Sequence, residues 1–138
     1  MTTLYQTKVF TNGGRGGRVT SEDGVLDLQL AIPKDMGGPG GAFANPEMLF
    51  AAGYAACFDS ALGFVAANQK VRTGATRVDA TVGIGPREAG GFALTVSLRV
   101  AIPGLPREQA QALMEAAHQV CPYSNATRGN IDVELVLA

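Results

Sequence analysis

Cys57 and Cys121 are the only thiols in the chain, and His118 is its only imidazole. Three chemistries are open to them. The plainest is none, because cysteine packs well as a small buried hydrophobe. A zinc site would draw on the His118-x-x-Cys121 spacing, joined by Cys57 or Asp59, but one such pair without a second is a weak signal. The third is nucleophilic thiol chemistry. A free thiol is only a few per cent ionised at neutral pH, and a cationic neighbour raises that fraction. Arg15 and Arg18 lie in a glycine-rich stretch flexible enough to fold over a pocket, and Glu47 is a carboxylate able to hold an arginine by a two-point bond. Spacing alone puts neither Arg15 nor Glu47 beside Cys57. A structural disulfide has little in its favour, since nothing in the sequence points to an oxidising compartment.

The elements that must position these residues follow from length, composition and periodicity. A chain of 138 residues suits one domain. It is 46% hydrophobic and 17% charged, which excludes intrinsic disorder. A net charge of −1 gives no footprint for nucleic acid or an anionic membrane surface. A single histidine excludes a multi-histidine metal cage. Low charge on so small a fold also suggests that some surface is covered by a second copy. The opening residues Met1 to Tyr5 lack the basic start and apolar core of a secretory signal.

Tyr5–Phe10 is expected to be a strand. Asn12–Gly17 then forms a glycine-dense turn, Arg18–Thr20 a return strand, and Leu26–Leu30 a half-buried strand by its alternation. Pro33–Gly41, with four glycines and two prolines, is a loop. Asn45-Pro46-Glu47 marks a helix start: a side-chain cap, a proline in the first turn, and an acid at the positive end of the dipole. This helix runs to about Asn68. It is apolar on nearly every face and rich in Ala and Gly, so it belongs at the centre of a fold. Its length invites comparison with a membrane span, but Asp59 near its middle and its many small residues favour a buried helix. Thr76–Ile84 and Phe92–Ile102 read as a hairpin. Pro106–Val120 reads as a second helix with the stripe Ala110, Leu113, Met114 and Ala117, stopped by Cys121-Pro122, and Ile131–Leu137 as a final strand. The order implies an α+β domain over residues 1–138.

Two long motifs then carry a family resemblance. Asn45-Pro-Glu-Met-Leu-Phe-Ala-Ala-Gly-Tyr-Ala-Ala-Cys-Phe58 and Val120-Cys-Pro-Tyr-Ser-Asn-Ala-Thr-Arg-Gly-Asn130, with the Gly13-Gly14-Arg15 turn, resemble the organic hydroperoxide resistance proteins of the Ohr/OsmC superfamily. The resemblance covers essentially the whole chain. It implies antiparallel sheets wrapped around a long buried central helix in an intertwined homodimer. It also implies a cytoplasmic thiol peroxidase acting on alkyl and fatty-acid hydroperoxides. By the same resemblance Cys57 would be the peroxidatic residue, Cys121 the resolving one, Arg15 the activating cation and Glu47 the carboxylate that holds it. No cofactor would be bound. The reductant would be dihydrolipoamide or a lipoylated protein, and neither nucleic acid nor membrane would be a partner. The alternatives are a peroxidase of the osmotically inducible type, or a non-catalytic module of the same fold binding zinc or an apolar ligand.

Overall fold

Asn45 does what its place before Pro46 leads one to expect. Its side-chain Oδ1 accepts the backbone N–H of Met48 at 2.8 Å, capping a helix, α1, that spans Pro46–Asn68. Replacing Asn45 by alanine leaves that donor without its partner. Asn45→Ala is therefore expected to lower unfolding free energy by about 1 kcal/mol, read from the midpoint of a urea titration.

The computed structural model describes residues 1–138. Their backbone contacts fall into two units, residues 1–49 and 50–138, with α1 beginning in the first and continuing through the second. The first unit holds an antiparallel sheet in the order β1 (Val9–Asn12), β2 (Arg18–Ser21), β3 (Asp27–Gln29). The β1–β2 turn is a single 3-10 turn over Gly14–Gly16. It needs its glycines: Gly13 has a φ of 78°, and a Cβ on Gly17 would sit 1.6 Å from the carbonyl oxygen of Asn12. After β3 the chain loops out through a 3-10 turn at Lys34–Met36. It returns where Leu30 and Ala44 pair in parallel, which delivers Asn45 to its capping position.

The second unit places a mixed sheet beside the helices. Strand β4 (Arg77–Pro86) pairs antiparallel with β5 (Phe92–Ala101), and β5 pairs parallel with β6 (Val133–Leu137). Between β5 and β6 run α2 (Arg107–Val120) and α3 (Pro122–Thr127). Its core gathers Tyr54, Phe58, Leu62 and Val65 of α1, the alternating Val96, Leu98 and Val100 of β5, and Ala110, Leu113, Met114 and Ala117 of α2. The stripe expected on α2 is the set of residues that α2 buries.

Several expectations are corrected. Residues 5–8 are not strand: β2 ends at Ser21, and past it a single bond, from the Glu22 N–H to the Lys8 carbonyl at 2.9 Å, does not extend the ladder. Residues 27–29 alone form β3, and Leu30 is buried through the bridge to Ala44. The second sheet is not purely antiparallel, since the α2–α3 crossover brings the chain back in parallel beside β5. Finally, α1 buries the stripe Tyr54, Phe58, Ala61, Leu62, Val65 and Ala66, while its other side, with Met48, Ala52, Ala56 and Phe64, stays exposed in the single chain. By length and composition α1 could cross a membrane. Its packed stripe, and an Asp59 that accepts the hydroxyl of Thr76 at 2.5 Å, are those of a core helix.

Candidate active site

The Cys121-Pro122 step ends α2 and starts α3 rather than leading into a loop. Cys121 is extended, with φ −63° and ψ 124°, and its N–H still bonds the carbonyl of Ala117. Proline has no N–H to lose, so Pro122 opens α3 without cost. The residue at this corner is fully buried, and its thiol lies 3.7 Å from the sulfur of Cys57 in the middle of α1. Both cysteines are free. Cys57 is half-buried and lines a cavity of about 340 Å³ with Ser60, Ala61, Phe64, Val120 and Pro122. One sulfur is thus reachable from an apolar cavity, and the other sits behind it.

Burial pushes the Cys57 thiol up from its ordinary value. The backbone N–H of Tyr123 opposes this by favouring the thiolate. Cys121 adds to the rise, first through its thiol–thiol contact with Cys57 and then through charge repulsion. The Tyr123 ring packs against Phe50 and Tyr54, at centroid distances of 6.2 and 5.6 Å. It lies over Gly53, where a Cβ would approach its hydroxyl to 2.6 Å. A glycine inside α1 is therefore what lets α3 bring the Tyr123 N–H to Cys57.

Arg15 and Glu47, both in the first unit, form the second pair. Two guanidinium nitrogens donate to the two carboxylate oxygens at 2.8 and 2.5 Å, the two-point bond that the residue types allow. The arginine holds the Glu47 carboxyl below its ordinary value, and the carboxylate raises Arg15 further above neutrality. Arg18 is an exposed surface charge paired with Asp27 at 2.6 Å. The residues weighed for zinc go elsewhere. His118 Nδ1 is 2.8 Å from Ser124 Oγ, Asp59 bonds Thr76, and no three His, Cys, Asp or Glu side chains gather as a ligand set.

Sequence reasoning passed over Tyr54, Tyr123, Ser124 and Thr127. The Tyr54 hydroxyl is 2.9 Å from Ser124 Oγ and 3.3 Å from Thr127 Oγ1, all three being buried. A signal was present: Tyr54-x-x-Cys57 and Cys121-x-x-Ser124 put a hydroxyl one helical turn from each thiol.

With this geometry in hand, comparison with known proteins is informative. Residues 38–136 match the family model described as OsmC-like protein. An organic hydroperoxide resistance protein of Xanthomonas axonopodis pv. citri is 53% identical over 98% of this chain and 95% of its own length. The organic hydroperoxide resistance protein OhrB of Bacillus subtilis is 48% identical over 97% of this chain and 98% of its own. Among solved structures, an organic hydroperoxide resistance protein from Elizabethkingia anophelis superposes with a TM-score of 0.96 at 56% identity, covering 100% of this chain and 99% of the other.

Proposed function

This chain belongs to the OsmC-like family, among its organic hydroperoxide resistance proteins, and from that premise we propose that it is a cysteine peroxidase reducing organic hydroperoxides to alcohols. The observation that carries the proposal is the pair of reduced sulfurs 3.7 Å apart with unequal access. The Cys57 thiolate attacks the distal peroxide oxygen. The O–O bond breaks, the alkoxide leaves and takes up a proton, and Cys57 becomes a sulfenic acid. The Cys121 sulfur then attacks that of Cys57, water departs, and a disulfide remains. Sulfurs at this distance need close by less than about 2 Å to reach disulfide bonding length.

The apolar cavity beside Cys57 favours an alkyl chain over hydrogen peroxide. The two electrons that reopen the disulfide come from a dihydrolipoyl group, free or on a lipoylated protein, with no cofactor bound to the chain. A homodimer in the cytoplasm fits the exposed apolar side of α1, which a second copy would cover. We assign to Arg15, bonded at two points by Glu47, the part of the cation that favours the thiolate and stabilises charge on the peroxide oxygens, as the family resemblance implies.

The test is consumption of cumene hydroperoxide with dihydrolipoamide as sole reductant, beside the same assay with hydrogen peroxide. Turnover that is faster on the organic substrate is expected. Two thiols still free after excess peroxide would overturn the proposal. For Arg15, the sign follows from electrostatics: a thiolate loses its counter-charge, so its titration moves upward. Arg15→Ala is expected to shift the pH midpoint of Cys57 alkylation by iodoacetamide upward, and to slow neutral-pH turnover by roughly a hundredfold. An unmoved midpoint counts against that role.

A further inference from the structure

The buried hydroxyls behind the cysteine corner make four contacts, and counting protons gives each a direction. Thr127 Oγ1 donates its only proton to the carbonyl of Ser124 at 3.1 Å. Its contact with Tyr54 at 3.3 Å must then be donated by the tyrosine. Tyr54 having spent its proton, the 2.9 Å contact with Ser124 is donated by the serine. Ser124 in turn can only accept from His118, at 2.8 Å, so His118 carries its proton on Nδ1. Every hydroxyl proton is used once, and no buried side-chain polar atom is left unpartnered.

This chain of bonds ties α1, α2 and α3 together. Tyr54 stands one turn before Cys57, His118 one turn before Cys121, and Ser124 one turn after it. Arg128 adds a clamp from outside, bonding the carbonyl of His118 and the side chain of Asn125, each at 2.6 Å. The backbone on both sides of Cys121 is therefore pinned to the helix that carries Cys57.

We infer that Ser124, with Tyr54 and Thr127, positions Cys121 for the second chemical step, and so sets how often the Cys57 sulfenic acid closes to a disulfide before a second peroxide reaches it. The inference rests on the peroxidase reading. Two reactions compete for the sulfenic acid. Closure consumes the Cys121 thiol and releases water. Over-oxidation consumes a second hydroperoxide, places its oxygen on sulfur as sulfinic acid and releases an alcohol. Neither Ser124 nor Tyr54 enters the first attack, so loss of either hydroxyl changes the competition and leaves that attack unchanged.

The test titrates wild type, Ser124→Ala, Tyr54→Phe and Val96→Ala with cumene hydroperoxide, and measures disulfide and sulfinic acid by intact mass spectrometry. The rate of first oxidation of Cys57 is followed in parallel by sulfenic acid trapping. Ser124→Ala is expected to raise the sulfinic fraction per turnover about tenfold, the scale of one lost buried hydrogen bond, with the first oxidation unchanged. Tyr54→Phe is expected to raise it in the same direction, and decides the matter if Ser124→Ala does not fold. Val96→Ala opens a core cavity on β5 without touching a hydrogen bond, and is expected to leave the fraction at the wild-type level. An unchanged fraction in the hydroxyl variants, or an equal rise in Val96→Ala, overturns the positioning role while leaving the peroxidase intact. Wild-type thiols indifferent to peroxide overturn both.

Discussion

Cys57→Ser is expected to leave essentially no hydroperoxide consumption with dihydrolipoamide, a fall of more than about a thousandfold. A serine hydroxyl at neutral pH is neither ionised nor soft enough to attack a peroxide oxygen. Cys121 gives no rescue, because its sulfur is fully buried and the cavity opens on Cys57 instead. Cys121→Ser is expected to behave differently. It retains one rapid oxidation of Cys57, and the sulfenic acid, unable to close, is then taken on to sulfinic acid by further peroxide unless an external thiol intercepts it. Following hydroperoxide loss with each variant separates the roles: full activity in Cys57→Ser would show that the nucleophile has been misassigned.

The largest expected loss of stability comes from the next residue. Phe58→Ala should cost about 3–5 kcal/mol, a large part of the roughly 5–15 kcal/mol that holds a domain of this size together. Phe58 is wholly buried in the core that α1 shares with β5 and α2, and its ring centroid lies 6.4 Å from that of His118. The void left by the ring is bounded by helices and a sheet that cannot all close in on it. Guanidinium unfolding with an unchanged slope and a lower midpoint is the expected result. A cost below about 1 kcal/mol would mean that the neighbours collapse into the space. Cys57 and Phe58 thus divide their labour over one peptide bond, one facing a cavity and the other the core.

What the residues disclosed in advance was mostly local. The cap at Asn45, the end of α1 at Asn68 and the buried stripe of α2 each depend on a few neighbouring residues, and each was legible. Three other features depend on partners far along the chain. The parallel docking of β6 needs the α2–α3 crossover, which no strand pattern encodes. The approach of Cys121 to Cys57 joins residues on different helices, so spacing left it open and only the family resemblance pointed to it. The short helix α3 was hidden because Pro122 reads equally as a stop and as a start, and the structure uses it as both. The hydroxyl chain through Tyr54 and Ser124 was missed because serine and tyrosine are common, and their one-turn offsets gain meaning only once both thiols face each other.

In the proposed peroxidase cycle, the unequal exposure of the two sulfurs sets a direction of traffic. A thiol arriving to open a Cys57–Cys121 disulfide must approach in line with the sulfur–sulfur bond, and only the Cys57 end faces open space. Attack there expels Cys121 inward, to a corner whose backbone is already fixed, and leaves the incoming thiol tethered to α1. A donor with two neighbouring thiols can then release itself by closing its own ring, whereas a donor with one remains attached until a second arrives. On the proposed peroxidase reading, the burial of one sulfur atom would act as a ratchet that favours dithiol over monothiol electron carriers.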